Sequence, residues 1–275
     1  FSGKFYISIQ ASNLNQVPST QAAFWTKFDL LKQWNTNEVY GAGSPVMDVN
    51  IYYTAIDTTT GDTPATSPTK WRRHTTKVTI QKFTADGTWT KPTGVTHIIV
   101  EVIGGGGGGA GCLGQPSGGG GGGGYSRIAL DAIALTTETV TVGEGGTGGA
   151  SGANDGTVGE SSSFGSLCVA TAGSPGIRSI ADGGAATAAA GGGGTTGDIL
   201  VAGDSGDPNN GIHRHNGGGN SVFGAGAVPQ TTADGNGVNG RNFGGGGGAG
   251  NRNSSNTVGG DGADGIVIVT EFIGG

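Results

Sequence analysis

Apolar and polar residues alternate from Lys77 onward. Val78 and Ile80 alternate with polar neighbours and Phe83 follows, the two-residue period of a half-buried strand. Residues 97 to 103 (HIIVEVI) form a mostly apolar run with Glu101 directed to the other face. Further strands are predicted at Tyr125 to Leu130, Thr139 to Val142, Phe164 to Thr171 and Ile266 to Phe272. Each is rich in valine, isoleucine or aromatics and is bounded by glycine or Asp-Gly. Five or six such strands predict a small sandwich or sheet.

The glycines lie between these strands. The strand ending at Ile103 runs into Gly104 to Gly109, turns through AGCLGQPS, and returns through Gly118 to Gly124 into the next strand. The same excursion recurs from Val142, out through GEGGTGG, round ASGANDG and back toward Phe164. A flexible linker predicts one serine-mixed tract between domains, not several tracts between strands. The order predicts out and back legs of ordered loops: extended threefold polyglycine II helices rising about 3.1 Å per residue. Without Cβ atoms such legs pack side by side, joined by N–H···O and Cα–H···O contacts.

The amino-terminal part has a different pattern. The segment from Phe5 aligns without gaps to the one from Ile51 at an offset of 46 residues. Tyr6, Pro18, Thr20 and Trp25 match Tyr52, Pro64, Thr66 and Trp71, and Lys27 faces Arg73. Only the second copy has a leader, with Trp34, Tyr40 and Val46. Residues 1–31 therefore read as the tail of an interrupted repeat, 32–76 as a complete repeat and 77–275 as the glycine-rich part. More repeats are expected upstream. Each is so short that it relies on a few large aromatics for burial.

Composition supports this division: 58 of 62 glycines follow Val78. Collagen is excluded, because no Gly-X-Y period runs through this part and proline is scarce. A net charge of -6 without a basic patch argues against nucleic acid and anionic membrane as partners. No apolar run approaches the length that crosses a bilayer, so a soluble chain without membrane insertion is expected. Cys112 and Cys168 read as two buried or idle thiols rather than a pair.

Two resemblances follow from these motifs. The pattern W-x5-Y-x5-V, a strand with paired aromatics, then P-x6-W, resembles the small chitin-binding-type carbohydrate modules that recur in phage tail fibres. It covers about 40 residues. The run FTADGTWTKPTGVTHIIVEVIGGGGGG, with GGGGGYSR, SSSFGSL and the terminal GGDGADGIVIVTEF, resembles the glycine-rich carboxyl-terminal receptor-binding domain of phage tail fibres. This resemblance spans Val78 to Gly275. It implies a non-enzymatic adhesin at the fibre tip of a virion, with a bacterial surface protein or polysaccharide and other fibre chains, in a homotrimer, as partners. The fold expected is mainly β: aromatic-rich modules, then a sheet or sandwich base carrying polyglycine II helices.

If the legs carry no side chains, specificity falls to the turns. Leu113, Gln115, Asn154, Ile177, Arg178, Asn209, Asn210, Ile212, His213, Arg214, His215, Gln230, Asn239, Arg241, Arg252 and Asn253 are the candidate contacts. Trp34, Tyr40, Tyr53 and Trp71 are either module core or sugar-stacking rings. His213 and His215 form the only metal-like spacing, which a polar binding loop explains as well; no metal or cofactor is expected. The glycine tracts lack the Gly-Lys-Ser/Thr of a phosphate loop. Asp261-Gly262 and Asp264-Gly265 lack a calcium-repeat period and read as turn chemistry before the last strand. Asp198, Asp204, Asp207 and Glu160 are available to a glycosidase, yet nothing selects the required pair. A glycan depolymerase, or a structural tip with sugar binding by the amino-terminal modules, remain the alternatives.

Overall fold

The computed structural model describes residues 5–8, 25–28, 32–49, 51–74, 77–114, 117–178, 186–208, 217–229, 235–251 and 256–273. The fold is mainly β, and no helix occurs among the described residues. The chain divides between Lys77 and Val78 into two compact units.

In the first unit Phe5–Ser8 pairs antiparallel with Trp25–Phe28. The corresponding segments of the second copy, Ile51–Ala55 and Trp71–Arg73, also pair antiparallel, in a register one residue apart. They belong to a four-stranded sheet ordered Lys32–Gln33, Pro45–Asp48, Ile51–Ala55, Trp71–Arg73. Tyr40, Val46, Tyr53, Ala55 and Trp71 are its buried cluster.

The second unit is built on two five-stranded sheets. One has the order Ile199–Val201, Tyr125–Asp131, Val95–Ile103, Ile266–Ile273, Lys77–Phe83. The other has the order Gly87–Thr90, Thr137–Thr141, Ser162–Phe164, Cys168–Ala170, Gly194–Thr196. Ile98, Val100, Val102, Val267 and Val269 from the first pack on Trp89, Val140, Phe164 and Cys168 from the second, closing a sandwich. Glu271 is buried within it and accepts hydrogen bonds from Thr79 Oγ1 (2.6 Å), Gln81 Nε2 (2.7 Å) and Trp89 Nε1 (2.8 Å). These bonds explain why Lys77–Phe83 turns its polar Thr79 and Gln81 inward and leaves Val78 and Ile80 exposed.

The expected single strand from Phe164 to Thr171 is instead a hairpin. Ser162–Phe164 pairs with Cys168–Ala170, and Phe164 faces Cys168. Gly165 supplies the turn with φ +52°, a conformation that glycine adopts without steric cost.

Between strands the chain leaves the sandwich in glycine-rich legs. Along 104–111 the amides donate to three different legs in rotation. Gly104, Gly107 and Ala110 reach Gly124, Gly121 and Gly118; Gly105, Gly108 and Gly111 reach Glu160, Thr157 and Asn154; Gly106 and Gly109 reach Ala263 and Gly260, all at 2.8–3.1 Å. The carbonyls accept in the same rotation from legs 171–177, 146–149 and 244–251. Leg 104–111 is therefore enclosed by other legs on every side. Legs 118–124 and 244–251 are bonded similarly, to each other, to 104–111 and to the outer legs.

Close approach, not φ, demands glycine here. No glycine of 104–111 or 118–124 has a positive φ. A Cβ at Gly105 through Gly109, or Gly120 through Gly124, would lie closer than 3.0 Å to a backbone atom of an adjacent leg. At the feet of the legs Ile103, Tyr125 and Ile266 are buried together, with Phe243 packed against them.

Asp261 and Asp264 are not turn residues. They stand three apart on the last leg, where their Oδ1 atoms accept the amides of Gly148 and Gly145 at 2.8 Å. Asn236 and Asn239 repeat the device: their Oδ1 atoms accept from Val258 and Asp261. At the rim of the bundle, where another leg is missing, a carboxylate or amide oxygen takes the place of its backbone carbonyl.

Candidate functional site

All the outward legs end on the same side of the bundle. Cys112–Leu113 pairs with Asn256–Thr257 there, burying Cys112 and Thr257 and exposing Leu113 and Asn256. Ser117 bridges to Arg178, and its hydroxyl donates to Gly111 O at 2.7 Å. The Arg178 amide donates to Asp155 Oδ1 at 2.9 Å, and its guanidinium donates to Ala153 O. Gly152, with φ +98°, makes the tight turn between legs 143–150 and 154–161. The Asn154 side-chain amide is directed back to Ala150 O and Ser151 O.

Of the sequence candidates, Leu113, Asn154, Ile177 and Arg178 therefore share this end, three of them exposed and Arg178 half-buried. Gln115, Asn209, Asn210, Ile212, His213, Arg214, His215, Gln230, Arg252 and Asn253 lie outside the described residues. Asn239 and Arg241 are placed elsewhere. They belong to the returning leg 235–241, where the Arg241 amide donates to Ala225 O at 2.9 Å. The described parts of the apparent turn 227–243 are thus the end of one leg (227–229), the leg 235–241 and a foot, the last made by Asn242 (φ 55°) and Phe243, which packs on the Ile103 cluster. Gly237 and Gly240, three residues apart in GNGVNGR, were the signal for a leg there.

Two acidic side chains, Asp86 and Glu144, were not singled out by the sequence; with Asp264, read there as turn chemistry, they join Glu160 around a groove of about 290 Å³ at the feet of the legs. Two of these have structural partners: Asp86 Oδ1 accepts the Val142 amide, and Asp264 Oδ1 the Gly145 amide. Of the other nominated acids, Asp198 precedes the strand Ile199–Val201, and Asp204 and Asp207 stand three apart on one outer leg. Asp198 Oδ2 accepts the Ala129 amide, and Asp204 Oδ2 accepts the Asn220 side chain, both at 2.9 Å.

In the amino-terminal unit, Tyr40, Tyr53 and Trp71 are buried to 2–4% exposure. Tyr40 and Trp71 meet edge to face with centroids 5.2 Å apart, and Trp71 Nε1 donates to Asp62 O at 2.8 Å. Rings so enclosed offer no face to a sugar; Trp34 is half-buried. Beside this core lies a groove of about 520 Å³, walled by Ile56, Pro64 and Pro68 and edged by Arg72 and Arg73. Tyr53 and Trp71 of the stacking candidates and Pro64 of the repeat motif also line this groove, so the motif reached part of it, while its aliphatic and cationic residues lay outside the motif.

Two groups in the sandwich have shifted acidities. Burial pushes the Cys168 thiol up to about 12. Burial, then a 2.8 Å hydrogen bond to Glu101, holds the Tyr125 hydroxyl far above the ordinary phenol range. Both favour the neutral form, as expected of packing groups rather than nucleophiles.

Fold and site together define a mainly β domain in which glycine-rich legs stand on a small sandwich and gather their turns at one end. A family model described as a glycine-rich domain matches residues 81–271. The chain belongs to this glycine-rich domain family. Among curated proteins no match is found.

Proposed function

We propose that this chain is the distal part of a phage tail fibre, a non-enzymatic adhesin that recognises a bacterial surface receptor through the turns at the far end of its glycine legs. In this proposal the legs are polyglycine II helices, the protein sits at the fibre tip of the virion, and three copies assemble. The observation that carries it is the gathering of Leu113, Asn154, Ile177, Arg178 and Asn256 at one end of a bundle held by backbone hydrogen bonds. Threefold rotation of successive amides supports the polyglycine II assignment. A scaffold bonded mainly through its backbone, with side-chain oxygens only at its rim, leaves the turn sequences free to vary, as host discrimination requires.

The test is binding of the purified chain to susceptible bacteria. Replacing 209–216 and 230–234 by glycine-serine segments of equal length, with Leu113→Asp and Ile177→Asp, is expected to abolish or redirect binding while the melting temperature stays the same. Full binding by these variants would overturn the proposal, and release of oligosaccharides from host polysaccharide would replace it with a depolymerase. The Trp71→Ala variant does not discriminate, because Trp71 is core.

A further inference from the structure

We infer that the two edge strands of one sandwich sheet are the surfaces through which copies of this chain meet: Lys77–Phe83 of one copy docks against Ile199–Val201 of the next, head to tail. This deepens the proposed function by naming the contact between its three copies, and rests on that reading for their number. Both strands break the rule by which a sandwich strand buries its apolar side. Ile199, Leu200 and Val201 are all 39–49% exposed, so neither face of that strand is covered. Val201 pairs with Tyr125, whose ring meets the Phe223 ring edge to face at 5.8 Å. With exposed Val222 next in sequence, these residues extend the apolar patch. At the opposite edge of the same sheet, Lys77–Phe83 turns Thr79 and Gln81 inward to Glu271 and leaves Val78 and Ile80 51% and 66% exposed. Clustered apolar exposure marks a contact surface, and an uncovered edge strand is a template for another chain.

Charge selects what covers them. The strand Lys77–Phe83 carries Lys77 and Lys82 and no acid, whereas residues 198–207 carry Asp198, Asp204 and Asp207 and no cation. All five side chains are exposed, and among the described residues none forms an ion pair. Each edge therefore lacks the counter-charge that the other supplies, and the complement of one is the other edge of a second copy. The strand directions agree. Ile199–Val201 runs into leg 203–207, and Lys77–Phe83 leads to Asp86, which accepts the Val142 amide where leg 143–150 begins. Both strands thus run toward the legs. Rotation about an axis parallel to the legs brings one against the other without reversing either, and every bundle then points the same way. Lys77 and Lys82 are separated by about the same length of chain as Asp198 and Asp204, so Lys77 meets Asp198, Val78 meets Ile199 and Lys82 meets Asp204. Two different surfaces related by rotation make a heterologous contact, which closes into a ring.

The test is cross-linking and mass in solution. Cys112 and Cys168 are buried, so introduced thiols react alone. Full chains with Val78→Cys and with Ile199→Cys are expressed separately and together, then treated with a short bis-maleimide. The co-expressed pair should yield a cross-linked dimer that neither variant yields alone, and a chain carrying both changes should be linked into a closed trimer. By light scattering, Ile80→Glu combined with Lys82→Glu, which sets acid against acid, should turn the wild-type trimer into a monomer at the same concentration, while Lys82→Arg keeps the trimer. All these positions are exposed, and an unchanged Trp89 emission checks that the sandwich is intact. A dimer from Val78→Cys alone would overturn the head-to-tail contact. A trimer that survives Ile80→Glu with Lys82→Glu would overturn the assignment of these edges and leave threefold assembly standing. A wild type that is monomeric at every concentration would overturn both.

Discussion

Gly107→Ala and Gly193→Ala add the same methyl group to the same kind of segment, yet they should move stability in opposite directions. At Gly107 a Cβ would meet the carbonyl of Ser174 closer than 3.0 Å. To make room, leg 171–177 must move off leg 104–111, which are joined by Gly173 N to Gly105 O (2.9 Å) and Gly176 N to Gly108 O (2.8 Å). A lost hydrogen bond whose buried groups stay unpaired costs about 1–3 kcal/mol, and the overpacked contact itself about 1–3 kcal/mol. Reduced freedom of the unfolded chain returns roughly 0.4–1 kcal/mol. The net destabilisation is then about 1–5 kcal/mol, at roughly 2–4 °C in melting temperature per kcal/mol for a domain of this size. At Gly193 no atom lies within 4 Å of an added Cβ and φ is not positive, so only the unfolded-state effect operates and alanine should stabilise by about 0.4–1 kcal/mol. Urea denaturation followed by Trp89, the only tryptophan of the second unit, measures both. Equal midpoints for the two variants would refute the claim that close packing of legs dictates glycine.

Three further outcomes are expected. Glu271→Leu strands the donors of Thr79, Gln81 and Trp89 and should cost about 3–5 kcal/mol in denaturant titration, with a shift in Trp89 emission. Cys168, with its thiol pushed up to about 12, stays protonated in the native state while the unfolded thiol ionises above about 8.5. Its contribution is therefore complete at neutral pH and falls by roughly 1.4 kcal/mol per pH unit in the alkaline range up to its folded value; Cys168→Ala should remove that slope, and native protein should resist thiol reagents. Finally, backbone amides of Gly104 to Gly109 should be protected from hydrogen exchange as strongly as those of Val95–Ile103, and exchange at the rate of an open linker would contradict the bonding pattern.

Strands announce themselves by alternation and β-branched residues, and Val95–Ile103, Tyr125–Asp131 and Ile266–Ile273 were legible for that reason. Gly87–Thr90 and Gly194–Thr196 were not, being short and poor in large apolar side chains. The hairpin at Phe164 was hidden because its two arms are three residues each, within the length of one ordinary strand. Location of the first legs followed from their runs of glycine. The later ones were mistaken for turns, since GNGVNGR and GGDGADG carry polar residues that turns also favour. The groove of the amino-terminal unit was legible only in part: Tyr53, Pro64 and Trp71 of the repeat line it, but its concavity depends on how Pro68, Arg72 and Arg73 are placed against them, not on spacing along the chain.

Glycine content along each leg follows from where the leg stands. Because successive amides change partner leg with a three-residue rotation, each third position faces one direction. Legs 104–111 and 118–124 are enclosed on all sides and are glycine throughout except for Ala110. Outer legs press inward by one face and carry glycine at that period: Gly156 and Gly159, Gly173 and Gly176, Gly203 and Gly206, Gly237 and Gly240. The intervening positions, such as Thr157 and Val158, are free to bear exposed side chains. A G-x-x-G spacing thus marks a rim leg and an unbroken run a central one. The consequence for function is a separation of duties: inward positions fix the scaffold, while the rim positions and the turns accept substitution. Val158→Arg should accordingly be neutral within about 0.5 kcal/mol, whereas Gly159→Ala, whose Cβ would lie 2.6 Å from the Gly106 carbonyl oxygen and 2.9 Å from that of Gly105, should not.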